Sequence, residues 1–432
     1  MFAMKRFTTV FAVTAATALV LAGCSSDNTE GPEDSFDPNA PVTLDLAFWG
    51  NDTRAGLYEE AIGAFNEKYP NITVNSTFLT FPEFWEKRQI EAAGGDLPDV
   101  MQFDYSYLRQ YSENGLLLDL GPYLGEYIKT DGFSAQALSI GVVDGATTAL
   151  PIGTNAWAMF ANSAMLDGRG VDAYEGGTSW EEYGEWMASV TSAGAGAAWG
   201  GTDPTYRIQN FELYMRANGK DLFSDAGEPQ FTEADLKKFW ESGAPLRANV
   251  TIPTQRLLEV APKSGFGANL TATELTWDNF GGGYIADLGI DATGLEFIEP
   301  PTAKSGSKDL YLKPSMLHAI AANTEHPEAS ALLVDFLLNS EEAGAIFGTN
   351  RGLPASSTHL GGVELDPLSA KILEYETSIA DRLGDAPPVP IVGYGSVEEK
   401  FRQLGEELGL GTVTVDEAVD QFFSELEVIL NQ

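Results

Sequence analysis

The chain holds one cysteine, Cys24, and three histidines, His318, His326 and His359, in 432 residues. A single cysteine excludes an intrachain disulfide. The histidines have no metal-ligand spacing, so no metal site is expected. Basic residues are scarce as well: 25 Lys and Arg stand against 63 Asp and Glu, a formal net charge of −38. A surface of that sign repels phosphates, so no nucleic-acid partner is expected. Past the N-terminal two dozen residues, no apolar run approaches the roughly 20 residues of a membrane span. Neither a Gly-x-Ser-x-Gly elbow nor a phosphate-binding loop occurs. The chain thus lacks the usual nucleophilic and nucleotide-dependent constellations, and no cofactor is implied. Glycoside hydrolysis stays open, because it needs only two suitably spaced carboxylates.

What is present begins at the N-terminus. Lys5 and Arg6 precede a mostly apolar run, Phe7 to Ala22, that ends in Leu21-Ala22-Gly23-Cys24. A charged start, a short apolar stretch and small residues at the end form a secretory signal. The box ending on cysteine resembles a bacterial lipobox, which implies cleavage after residue 23 and lipidation of Cys24. Residues 24–41 are acidic, contain Gly and Pro and have Phe36 as their one large apolar side chain. Such a segment buries too little surface to fold and reads as a flexible tether.

The remainder is globular, with 44% hydrophobic residues and 11% aromatic, and long enough for two lobes. Apolar residues alternate over 42–50, a strand. Leu57, Ala61, Phe65 and Tyr69 recur every four residues, a helix that Pro70 stops. Residues 71–78 and 99–104 read as further strands and 83–93 as a helix. This alternation predicts an α/β fold with a parallel sheet covered by helices. Ligands of such sheets bind at the carboxyl ends of strands. From about Pro151 a second α/β region follows, with strands at 156–162, 273–277 and 295–298 and helices at 209–217, 233–241 and 327–338. Ser179 with Glu182 and Thr414 with Glu417 form capping boxes.

Several stretches in this order resemble the extracellular solute-binding proteins of ABC importers, the family-1 sugar-binding type that includes maltose-binding protein. They are LDLAFWGNDTRAGLYEEAIGAFNEKYPNITV, LPDVMQFDYSYLRQYSENGLLLDL, ALPIGTNAWAMFANSAML with TSWEEYGEWM, HPEASALLVDFLLNSEEAGAIFGTNRGLPAS and TVDEAVDQFFSEL. The resemblance implies two α/β lobes with a ligand cleft between them: 42–151 plus 280–325 as the first, 152–279 plus 326–432 as the second. It implies a monomeric, non-enzymatic protein, lipid-anchored at the outer face of the cytoplasmic membrane. That protein would capture a carbohydrate by hinge closure and pass it to the permease subunits. An anchored glycoside hydrolase, or a binding protein for a peptide or polyol, is the alternative. The stretch before Trp277 departs from the family wording, and Asn155 stands where maltose-binding protein has a cleft glutamate, so that protein's specificity is not implied.

Sugars need aromatic rings for their C–H faces and oriented polar groups for their hydroxyls. Strand-end position points to Trp49, Asn51 and Asp52 at the first strand and to Gln102, Phe103 and Asp104 at the third. Asn155 and Trp157 follow the crossover. The family pattern adds Tyr206, Trp277 with Asp278, and Tyr394. Arg351 is a further candidate, as a hydroxyl clamp. Each has a plainer reading: Asp104 as a helix cap, Asn155 as a hinge hydrogen bond, Arg351 as the partner of an acid. His318 reads as a packed residue. Trp85, Trp180, Trp186 and Trp240 lie in helical contexts and read as core.

Overall fold

Strand β1 (Val42–Trp49) buries Leu44, Leu46 and Phe48 from alternate positions, as a half-buried strand should. The helix after it, Asp52–Lys68, starts where the Asn51 side chain accepts the Arg54 N–H. The capping boxes at Ser179/Glu182 and Thr414/Glu417 are both formed. In the C-terminal helix Val415–Leu430 the stripe Val419, Phe422, Leu426 and Ile429 is buried. The computed structural model describes residues 40–431. Cys24, the signal at 1–23 and nearly all of the 24–41 tether lie outside the described residues. The described residues belong to one compact unit.

The remaining strands are β2 (Ile72–Leu79), β3 (Val100–Phe103), β4 (Val142–Val143), β5 (Ala146–Thr147), β6 (Leu150–Asn162), β7 (Thr273–Trp277), β8 (Leu295–Ile298), β9 (Leu312–Ile320) and β10 (Leu353–Pro354). The main sheet runs β10-β6-β9-β3-β1-β2, with β7 and β8 also on β6. Among the described strands, only the pairs β1 with β2 and β1 with β3 are parallel. The parallel sheet expected from sequence is therefore a mixed one. Strand β9 returns antiparallel between β3 and β6, a pairing between residues far apart in sequence.

Strand β6 is the spine. All 13 residues are buried. Its first half, Leu150 to Ala156, pairs with β9; its second half, Trp157 to Asn162, pairs with β7 and β8. Residues 155–157 are thus the point where the chain passes from one lobe's sheet to the other's. The first lobe's core gathers Met101, Phe103, Leu108 and Leu317. The second has a helical core in which Phe211, Trp240, Phe401 and Phe422 meet.

Parts of two stretches sit on the other side of the expected division. Of 280–325, expected in the first lobe, β9 does pair with β3 there, whereas β8 pairs with β6 beside β7 and Tyr284 packs on Phe160 and Phe266. Of the residues from 326, expected in the second lobe, the two C-terminal helices do join that lobe's core, whereas helices Pro327–Asn339 and Glu341–Phe347 pack on the Asp52–Lys68 helix, with Phe336 against Phe65 and Phe347 against Tyr58. Apolar patterning shows that a helix has a buried face; it does not show which lobe covers it.

Candidate functional site

Where the sheets meet, a cavity of about 310 Å³ opens, at the small end of the roughly 300–1,000 Å³ of ligand pockets. Trp277, at the end of β7, contributes a partly exposed ring. It is fixed edge-on by Trp157 at 5.1 Å and flanked by Tyr311 at 5.9 Å. The Lys313 ammonium lies 5.1 Å from the same ring's centroid, a cation–π contact. Asn155, Asn279 and Ser315 line this end. At the other end stand Phe223 and Tyr394, their rings 6.2 Å apart. Asp104 and Ser106 enter from the start of helix Tyr105–Glu113.

The polar floor comes from helix Ile208–Ala217. Gln209 Nε2 donates to Glu398 Oε1 at 2.7 Å, and Tyr311 Oη donates to Glu212 Oε2 at 2.6 Å. Glu212 is buried. Burial raises its pKa to about 7, against the opposing pull of the Tyr311 hydrogen bond and of Arg216. Beneath Trp277, Asp278 is fully buried; its Oδ2 accepts the Ala156 N–H at 2.8 Å, at the crossover itself. Its carboxyl meets that of Glu376, which accepts from Thr154 Oγ1 at 3.1 Å. Burial and mutual repulsion hold the Asp278 carboxyl well above the usual range, so the pair keeps a proton.

Among the residues expected from sequence, Asp104, Asn155, Trp277 and Tyr394 come together on this cavity. The others take framework positions. Trp49 packs edge-on against Phe81 and Phe84. Asn51 caps a helix, and Asp52 lies exposed in its first turn. Gln102 is buried between Tyr58 Oη and the Trp49 carbonyl, and Phe103 lies in the core against Trp85 and Tyr111. Trp157 is buried, its Nε1 donating to Asn210 Oδ1 at 2.8 Å. Asp278 braces the crossover. Tyr206 lines a different cavity. Arg351 is buried with its guanidinium 3.5 Å from the Phe347 ring centroid, donating to the Leu337 carbonyl. It is a core brace, not a clamp. His318 is fully buried, and burial beside Arg351 lowers its pKa to about 3, so it packs as a neutral ring.

A sequence profile of bacterial extracellular solute-binding proteins matches residues 60–359. The chain belongs to this family. The family is one of solute binding. A solved extracellular solute-binding protein family 1 from Alicyclobacillus acidocaldarius superimposes with a TM-score of 0.78 at 26% identity, over 92% of this chain and 100% of that one. A periplasmic oligogalacturonide-binding protein from Yersinia enterocolitica superimposes equally well, TM-score 0.78, at 20% identity over 90% and 99%; at that identity the likeness shows the two-lobe fold alone. A putative binding protein of Brucella abortus (strain 2308) is 27% identical over 114 residues, 26% of this chain. The matched region spans only 28% of that relative's length. Among the described residues, no helix of this solute-binding protein is long and apolar enough to cross a membrane, and no acidic, histidine or cysteine cluster fits a metal ion.

Proposed function

We propose that this solute-binding protein captures a neutral mono- or oligosaccharide in the cleft and delivers it to an ABC importer, as a lipoprotein anchored through Cys24 at the outer face of the cytoplasmic membrane. The observation that carries the reading is the Trp277 platform. A partly exposed ring, braced edge-on by Trp157, faces a cavity whose polar lining consists of amides, hydroxyls, carboxylates and the Lys313 ammonium. That is the pairing a pyranose asks for: an apolar face for C–H groups and in-plane partners for hydroxyls. The oligogalacturonide-binding relative takes an acidic sugar. Here the lining acids Asp104, Glu212, Asp221 and Glu398 face one lysine, Lys313, which disfavours a uronate and favours a neutral ring. Ligand bridging the lobes would shift the population toward the closed form, the shape a permease would read.

Binding without turnover is the test. A matching sugar at 100 times its Kd should stabilise the protein by about 2.7 kcal/mol through mass action, and it should be recovered unchanged. Release of shorter saccharides would support the hydrolase instead. For the anchor, Cys24→Ser should release the protein or leave uncleaved precursor. Membrane retention at wild-type levels with normal processing would contradict lipidation.

A further inference from the structure

Trp277 and Glu274 point to opposite faces of β7, because side chains alternate along a strand. On the Glu274 face lies a second cavity, of about 410 Å³, that shares no lining residue with the cleft. The two cavities are neighbours on opposite sides of β7: Trp277 and Asn279 line the cleft, Thr276 and Phe280 the second cavity. Along helix Tyr394–Leu410, Glu398 of the cleft and Glu406 of the second cavity are eight residues apart, about 12 Å of helix.

The polar groups inside it are incompletely satisfied. Glu274 is only 2% exposed, and Arg207 Nη2 approaches its Oε1 at 3.5 Å, beyond the roughly 2.7–2.9 Å of a well-made charge-assisted bond. Glu274 Oε2 and Arg207 Nε make no hydrogen bond in this geometry; the Thr202 side chain is the carboxylate's other polar neighbour. Buried groups of this kind are costly to leave unpaired. The walls carry the Tyr206 and Tyr284 rings, and the mouth is ringed by Leu258 and Phe280, which are 47% and 53% exposed. At the rim, Lys263 is paired with Asp287 at 3.0 Å.

We infer that this cavity is a second saccharide site, for a single neutral sugar ring. Aromatic rings at the wall and mouth supply a stacking surface. Glu274 Oε2 offers an acceptor and Arg207 Nε a donor, so one hydroxyl satisfies both. Carboxylate and guanidinium balance in charge, as do Lys263 and Asp287, and the third lining acid, Glu406, is paired with Arg402 outside the cavity, so the site calls for neither a uronate nor an amine. The inference rests on these residues and not on the cleft reading.

The experiment is hydrogen–deuterium exchange on the purified protein with millimolar glucose, galactose or mannose. It compares wild type with Trp277→Ala, Phe280→Ala and Glu274→Gln. At least one sugar should protect residues 257–265 and 280–287. Protection should persist in Trp277→Ala. In Phe280→Ala, an exposed position whose change leaves the core intact, the apparent affinity should fall about tenfold, and Glu274→Gln should weaken it further. Protection confined to 104–106, 209–212, 311–315 and 387–398, or lost in Trp277→Ala, would overturn the second site. So would the absence of protection at 257–265 and 280–287 with all three sugars. Protection of the second cavity with a silent cleft would instead count against the cleft reading while upholding this one.

Discussion

Trp157 and Trp277 are register partners across β6 and β7, with rings 5.1 Å apart. Both were expected from sequence to touch ligand. One is 2% exposed, with its indole N–H bound to Asn210; the other opens onto the cleft and carries Lys313 over its face. The same residue type on neighbouring strands thus serves as brace in one case and platform in the other. The brace holds the platform edge-on, so that a sugar would meet a ring already oriented. The same division runs through the other polar and aromatic residues: Arg351, Gln102 and Asp278 build the frame, whereas Glu212, Tyr311 and Tyr394 face the cavity.

Substitution should separate the two roles. Trp157→Ala removes a buried indole and leaves a hole, and should cost about 3–5 kcal/mol of folding stability. Thermal or urea unfolding checks this; a loss under about 1 kcal/mol would place Trp157 with the cleft residues.

Glu212 gives the next largest effect, through pH. Its carboxyl titrates near its ordinary value in the unfolded chain but at about 7 when folded, so the folded state holds more protons between those values. Stability must therefore fall as pH rises from about 4.5 to 7 and then level off, by an amount on the order of 3 kcal/mol for this group. The buried Asp278–Glu376 pair adds a change of the same sign. Glu212→Gln should flatten its share of the decline when melting temperatures are compared at pH 5 and pH 8. An unchanged slope would mean that Glu212 is not desolvated.

Trp277→Ala should weaken sugar binding by about 2 kcal/mol or more while lowering ligand-free stability less than Trp157→Ala does, because its ring is only partly buried. A large fall in ligand-free stability with normal affinity would make Trp277 a second brace and erase the contrast.

The smallest effect belongs to Asn51, read from sequence as a sugar contact and found as a helix cap. Asn51→Ala should cost about 1 kcal/mol of stability and leave affinity unchanged. Lost affinity at constant stability would return that turn to the site.

Local patterns carried much of the architecture. Both capping boxes, the buried stripe of the C-terminal helix and the β7 and β8 strands were legible, because each is a repeat or a cap within a dozen residues. The mixed sheet was not, since β9 reaches β3 and β6 across gaps of more than 150 residues. In the cleft, Trp277 and Tyr394 were legible only through the family resemblance, which places aromatics at those positions. Gln209 and Glu212 were not: they lie in a helix whose Ile208, Phe211, Leu213 and Met215 announce a core, and which polar side faces the cleft is settled by the opposite lobe. Arg351 misled for the converse reason: Phe347 is four residues away, but nothing local tells that Tyr58 closes over the same guanidinium.

The most direct test of the cleft's role is native mass spectrometry of the protein purified from its own cells, alongside Trp277→Ala. The wild type should carry an added mass equal to an intact neutral saccharide, displaced by the same sugar in excess, and the variant should lose most of it. A wild type that carries no saccharide and binds none from a neutral oligosaccharide panel, or one that converts them to shorter products, would contradict the account.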